Sequence, residues 1–355
     1  MSKKLTFFLF ASSFVIALGF IALISFNNER LELQVILPKS AQEIPLQLSH
    51  FEKSHRNVRF QIRYIADTEF KRELHDLPIK ADIVFLPSKQ WLKFTDSNSY
   101  VKYRNSILTS PTVILMNKKH AKKYASKRVK LNAKKFMRGV TLKSLTFSMP
   151  SPKSSALGMA TFFGFIEALV QDKTLRPQQT VPEGTSSTKE RILSPYEVLS
   201  LKKVQNFLQS IDINDTDNLL AALENNTYDG VVTTEQQAAL LNKRLKAEKK
   251  ESFAILYFKE ADLAFNLTLG FIDKGDPEKE NVFNELRTFL TSPEVQNNFS
   301  HELYRTRLGD NYDPKDWQGL LPHWHPYTEC PFGHSKIVKL IASFQEIRKE
   351  VGGAE

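Results

Sequence analysis

The stretch LELQVILPKSAQEIPLQLSHFEKSHRNVRFQIRYI, residues 31–65, decides the fold class. Residues 31–37 alternate apolar and polar side chains and then turn wholly apolar, as an opening strand does. The loop 38–43 leads into residues 44–54, a predicted amphipathic helix with Leu48 and Phe51 on one face. Residues 58–65 have period two, with Val58, Phe60, Ile62 and Tyr64 on one side. A helical stretch at 68–74 then leads to ADIVFL, residues 81–86, an apolar run suited to a strand buried on both faces. The order β-α-β-α-β predicts an α/β layer built on a mostly parallel sheet.

Working outward, further strands are expected at 110–117 (SPTVILMN), 145–149, 228–234, 253–258 and 264–272. Helices are expected at 156–171, 195–208, 218–224, 281–290, 294–302 and 337–351. Residues 178–194 read as a polar surface loop, and no repeat of domain-building length is present. The chain has 355 residues, 41% hydrophobic and 25% charged, which excludes a disordered or disulfide-dense chain and suggests about two domains. Lys plus Arg exceed Asp plus Glu by 49 − 39 = 10. That excess suits an anionic ligand, nucleic acid or an anionic membrane face. Cys330 is the sole cysteine, so no intrachain disulfide forms.

Leu5 to Phe26, LTFFLFASSFVIALGFIALISF, carries no charge and follows Lys3 and Lys4. As a helix it would span roughly 30 Å, the thickness of a bilayer core. The flanking lysines would keep the N-terminus cytoplasmic and place the remainder across the membrane. Residues 1–30 are therefore expected to be a signal anchor or, if cleaved, a signal peptide, which leaves the body periplasmic or secreted. Both readings put the body on the extracytoplasmic side.

Four segments share one design, an apolar strand running into short hydroxyl or amide residues and then a helix. They are ILPKSAQE at 36–43, VFLPSKQW at 84–91, FSMPSPKSS at 147–155 and VVTTEQQ at 231–237. In open α/β sheets ligands bind beyond the carboxyl ends of strands, where helix N-termini offer free N–H groups. A Ser or Thr there can cap the helix, contact a ligand, or do both.

The order of these landmarks resembles bacterial extracellular solute-binding proteins of the type 2 periplasmic-binding fold, the substrate-binding type of ABC transporters. LSHFEKSHRNVRFQI at 48–62, ADIVFLPSKQW at 81–91, SPTVILMNKKHA at 110–121, PSPKSSALGM at 150–159, YDGVVTTEQQA at 228–238 and FLTSPEVQNNF at 289–299 are similar to successive motifs of that family. The resemblance implies two lobes that close on a small solute for uptake by a membrane transporter. Lobe 1 would combine 31–108 with 262–355, and lobe 2 would be 109–260, with crossovers near 106–111 and 257–263. Carried over by motif, the ligand-binding residues would be Ser40, Ser88, Ser154, Ser155, Thr234, Glu235 and Tyr257. Lys39, Lys89 and Lys153 beside these loops would favour an anionic solute where they point inward, and are solvated rim lysines otherwise. The implied partners are the solute, the membrane and an ABC permease or other membrane complex. Neither a cofactor nor catalysis is implied.

Alternatives come from the residues themselves. A tethered sensor or scaffold with a degenerate cleft would carry the same motifs. His323, His325, Cys330 and His334 offer zinc-type donors, although their spacing fits no zinc motif and Pro326 and Pro331 suggest an irregular packed loop. The sequence lacks a P-loop, G-x-G-x-x-G, H-E-x-x-H and G-x-S-x-G, so no catalytic motif stands out. The stretch 118–138 is rich in lysine and has no acid. Without interleaved aromatic residues it reads as a solvated or lipid-facing surface, and no nucleic-acid partner is expected.

Overall fold

The structure, a computed structural model, describes residues 30–66, 69–88, 91–92, 100–126, 130–171, 192–214, 218–258, 264–306, 320 and 334–349. The strands are β1 (Leu31–Pro38), β2 (Val58–Ile65), β3 (Ile83–Leu86), β4 (Val101–Met116), β5 (Ala125–Ser126), β6 (Lys130–Leu131), β7 (Phe147–Met149), β8 (Asp212–Ile213), β9 (Gly230–Thr234), β10 (Ala254–Tyr257) and β11 (Ala264–Ile272). The helices used below are α1 (Ile44–Ser54), α2 (Lys118–Tyr124), α3 (Ala133–Thr141), α4 (Ala156–Gln171), α5 (Pro195–Ser200), α6 (Lys202–Gln209), α7 (Leu219–Glu224), α8 (Glu235–Ala247), α9 (Pro277–Leu290), α10 (Pro293–His301) and α11 (His334–Lys349). Short helical turns fill Phe70–Lys80.

Two sheets share one strand. The first runs β2-β1-β3-β11-β4, with β1 parallel to β2 and β3. The second runs β8-β7-β9-β4-β10-β6-β5, with β7 parallel to β8 and β9. β4 pairs antiparallel with β11 from Val101 to Pro111, then with β9 and β10 from Thr112 onward. The changeover falls at Pro111, whose missing N–H makes it a poor ladder member and a suitable place to leave one sheet for another. The expected strand at 110–117 is thus the second half of a strand that begins at Val101. Its first half was hidden by the charged and amide residues Lys102, Arg104 and Asn105 and by Tyr103, which sits at positive φ.

Each sheet has its own core. Ile44, Leu48 and Phe51 of α1 are spaced to bury one helical face, and they pack with Leu33, Val35, Phe85, Leu269, Phe283 and Phe299. On the second sheet Phe136, Phe147, Phe165 and Phe207 meet ring to ring. Ile337, Leu340, Ile341, Phe344 and Ile347 of α11 join that second core. Phe344 lies 5.0 Å from the Phe162 ring. Arg348 Nη1 donates to the carbonyls of Leu208, Gln209 and Ile211 at 3.1, 3.1 and 2.5 Å. The last helix therefore docks on α4, α5 and α6 of the second sheet, whereas the sequence expectation grouped residues 262–355 with residues 31–108. Each buried apolar side chain of this kind contributes about 1.5–3 kcal/mol, so five of them outweigh chain proximity. Among the described residues no helix is long and apolar enough to cross a membrane; the expected anchor at 5–26 lies outside them.

Candidate ligand cleft and interlobe joint

The carboxyl ends of β1, β3, β7 and β9 carry the four loops singled out from the sequence. After β1 the chain turns through Ala41 N–H donating to Pro38 O at 3.0 Å. The Ser40 hydroxyl is buried there and has no hydrogen-bond partner among the described residues. After β3, Ser88 is almost fully buried and its carbonyl accepts from Trp91 N–H at 3.1 Å. After β7, residues 151–155 form a turn in which Ser155 N–H donates to Ser151 O at 2.9 Å. Ser155 Oγ then accepts from Gly158 N–H at 3.2 Å, capping α4. Ser154 beside it is half-buried. A Cβ on Gly158 would lie 2.3 Å from Pro150 O, so only glycine lets the loop fold onto the first turn of α4.

This first turn of α4 reaches the other sheet. Ala156 packs in one apolar cluster with Ile36, Leu86 and Trp91, residues at or just past the ends of β1 and β3. Ser155 directly precedes Ala156 at this packed first turn. Lys39 and Lys153 are exposed, and Lys89 lies outside the described residues.

Thr234, Glu235 and Tyr257 form a second group. Thr234 caps α8 by accepting from Gln237 N–H at 3.3 Å. Across the ladder from it stands Thr112, which is buried and whose hydroxyl has no partner among the described residues. Glu235 is fully buried. Its two carboxylate oxygens accept from Arg305 Nε at 2.8 Å and Arg305 Nη2 at 2.7 Å, and Tyr257 Oη also donates to it. Burial pushes the Glu235 carboxyl up, and the Arg305 fork and the Tyr257 hydroxyl oppose that push. Both side chains are thus engaged in a buried joint.

Arg305 carries the joint across to β4. Its backbone exchanges hydrogen bonds with Thr109, at 3.1 and 2.9 Å. Its neighbour Tyr304 donates to Glu43 Oε2 at 2.8 Å, and Gln236 Nε2 reaches Glu43 Oε1 at 3.4 Å. Gln236 N–H donates to Ser110 Oγ at 3.0 Å. One chain of polar contacts therefore runs from the loop after β1, through residues 304–305, to the start of α8. Burial raises Glu43 above the usual carboxylate range, against the hydrogen bond from Tyr304. Burial beside Glu43 also pushes Tyr304 up, which keeps its hydroxyl protonated and donating.

Sequence reasoning singled out Glu235 and Tyr257 as ligand contacts and did not single out Arg305, Tyr304, Glu43 or Gln236, the residues that join them here. A carboxylate at the first position of a buried helix demands a cation, and nothing in the spacing of YRTR marked Arg305 as that cation. His323, His325 and Cys330 lie outside the described residues. Of His334 only the backbone, opening α11, is described, and no group able to hold a metal ion occurs among the described residues.

Solved structures give the fold its place. The chain has the two-lobe, type 2 periplasmic-binding fold. It matches an ABC-transporter solute-binding protein of Thermotoga lettingae, bound with α-D-tagatose, at TM-score 0.61 and 11% identity, covering 91% of this chain and 94% of that one. It matches iron-bound HitA of Pseudomonas aeruginosa at TM-score 0.57 and 13% identity, covering 91% and 99%. It matches the substrate-binding protein of an ABC transporter of Agrobacterium tumefaciens at TM-score 0.59 and 12% identity, covering 91% and 96%. No family model and no curated protein matches the sequence.

Proposed function

We propose that this chain is an extracytoplasmic solute-binding protein that closes two lobes on a small solute and delivers it to an ABC-type permease. The observation that carries the reading is the meeting of the loops after β1 and β3 with the capped N-terminus of α4, across two sheets joined by β4. Ser40, just past the end of β1, and Thr112, within β4 opposite the end of β9, keep hydroxyl groups with unused hydrogen-bonding capacity among the described residues. Ser88, Ser154, Ser155 and Thr234 add short polar side chains and helix N–H groups, a chemistry suited to orienting a solute by hydrogen bonds. Glu235 and Tyr257 act in the joint between the lobes and set its geometry.

The moving bodies are residues 31–108 with 264–306, and residues 112–258 with 334–349. Residues 5–26 anchor the protein, and Lys39 and Lys153 bias the rim toward anionic solutes. Closure selects one arrangement of the lobes, and the membrane partner reads that arrangement. A second reading, a tethered sensor with a filled cleft, is favoured by the direct contact of Glu43 with Gln236 across the lobes.

A thermal-shift panel on the full chain in detergent, covering sugars, amino acids, thiamin, ferric ion and small oxyanions, tests the reading. A solute at 100 times its Kd adds about 2.7 kcal/mol of stability. The expected result is a stabilising solute whose effect is lost in Ser40→Ala and Ser154→Ala. A panel with no stabilising member favours the sensor.

A further inference from the structure

We propose that the outer face of α2 and α3 is a docking surface for anionic phospholipid headgroups. In α2, Ala121 and Tyr124 turn inward, and in α3, Phe136, Met137, Gly139 and Val140 do so. The two helices meet through Tyr124. Its ring packs edge-on against Phe136 at 6.2 Å and occupies the space where a Cβ on Gly139 would sit. With the inner faces so fixed, Lys118, Lys119, Lys122 and Lys123 of α2 and Lys134, Lys135 and Arg138 of α3 all emerge into solvent, joined by Lys143 just beyond.

None of these eight side chains has an ion pair among the described residues. Some surface cations elsewhere are partnered, Lys80 by Asp76 and Glu73, Arg244 by Glu224, Lys250 by Glu248 and Lys102 by Asp273; what sets this face apart is that eight cations unpaired among the described residues lie together on two packed helices and the turn after them. Asp229 at the rim of the face is already engaged by His120 at 3.5 Å and by Thr146 N–H and Oγ1 at 2.9 Å. The face therefore keeps its charge, and keeping like charges together unpaired has a cost that an external anion relieves.

The chemistry of the face selects the anion. Seven of the eight cations are lysines, compact charges on flexible stems that suit a mobile, two-dimensional array of phosphates better than a fixed bidentate contact. Tyr124 and Phe136 are fully buried, so neither ring is available to stack on nucleobases. Leu142, between Arg138 and Lys143, is 63% exposed and offers an apolar side chain to the acyl boundary. Lysines and arginines close to an anionic bilayer are drawn to it within a Debye length, so eight cations on one face give salt-sensitive attachment. The inference does not depend on solute binding.

The full chain reconstituted in nanodiscs of phosphatidylcholine, with and without phosphatidylglycerol, tests this by lysine acylation read by mass spectrometry. Acylation of Lys118, Lys119, Lys122, Lys134, Lys135 and Lys143 is expected to slow about five-fold or more in the anionic discs, with recovery at high salt. Lys53 and Lys243 on other faces serve as controls and keep their rates. In the variant Lys134→Glu/Lys135→Glu/Arg138→Glu, protection at Lys118 and Lys122 is expected to disappear. Equal rates in both discs, or equal slowing at the controls, overturns the proposal. Protection by a single-stranded oligonucleotide without any from phosphatidylglycerol overturns it in favour of nucleic acid.

Discussion

Arg305 and Glu235 make the sharpest residue-scale case. The pair is buried, bidentate and further bonded by Tyr257, so removing one partner leaves an uncompensated charge in the joint. Arg305→Ala is expected to cost about 3–5 kcal/mol in urea denaturation. The double change Glu235→Gln/Arg305→Met should cost less than the sum of its parts, because no charge is then left alone. Glu43 gives a pH signature of opposite kind to a surface carboxylate. Its folded pKa is raised, so the folded state holds this proton more tightly than the unfolded chain. Its contribution is fully present below the unfolded pKa and is lost as pH rises through the folded value. Denaturant midpoints measured from pH 4.5 upward should show that loss in the native protein and not in Glu43→Gln. The residue scale was the least legible in the sequence. Ser155 and Thr234 could be read as caps or ligand contacts, and they are caps by geometry; the cation that pairs with Glu235 comes from a segment 70 residues away.

At the scale of elements, hydrophobic period was a sound guide wherever one face is buried. Helices α1 and α4 and strands β2 and β11 stand where period and apolar runs placed them. The failures have a common cause. The first half of β4 is mostly exposed on one side and bears charges, and α2 and α3 share a stretch whose lysines mask the inward positions Tyr124, Phe136 and Val140. Gly158 tests the element that builds the cleft. Gly158→Ala would force its new methyl into the Pro150 carbonyl, a rigid backbone neighbour. A loss of about 1–3 kcal/mol is expected, together with loss of any solute-induced thermal shift. Ser155→Ala, which removes the cap of α4, should cost about 1 kcal/mol as seen by calorimetry.

For the whole molecule, the order of strand-loop-helix landmarks along the chain made the two-lobe fold legible at an identity to solved relatives of only 11–13%. The placement of α11 was not legible, because an amphipathic helix states which face is buried and never against what. Its docking depends on surfaces built by residues more than a hundred positions earlier, such as Phe162 and the carbonyls that receive Arg348. Two cores linked through one uninterrupted strand should unfold together. Calorimetric and van 't Hoff enthalpies of the body are expected to agree, and two resolved transitions would show that the joint at Pro111 and Arg305 uncouples the lobes.

The shared strand also sets a timetable. ILTSPTVILM, residues 107–116, is the apolar half of β4, and its neighbours begin only at Gly230, with Ala254 and Ala264 later still. The 230 − 116 = 114 positions between them take about 6–23 s to synthesise at ordinary rates of chain growth. For that interval the central strand of the protein has two bare edges and a sequence prone to pair with any other strand it meets. A nascent chain of this design benefits from being kept unfolded and escorted until its last third has been made, and its yield should depend more on that escort than on the stability of the finished fold.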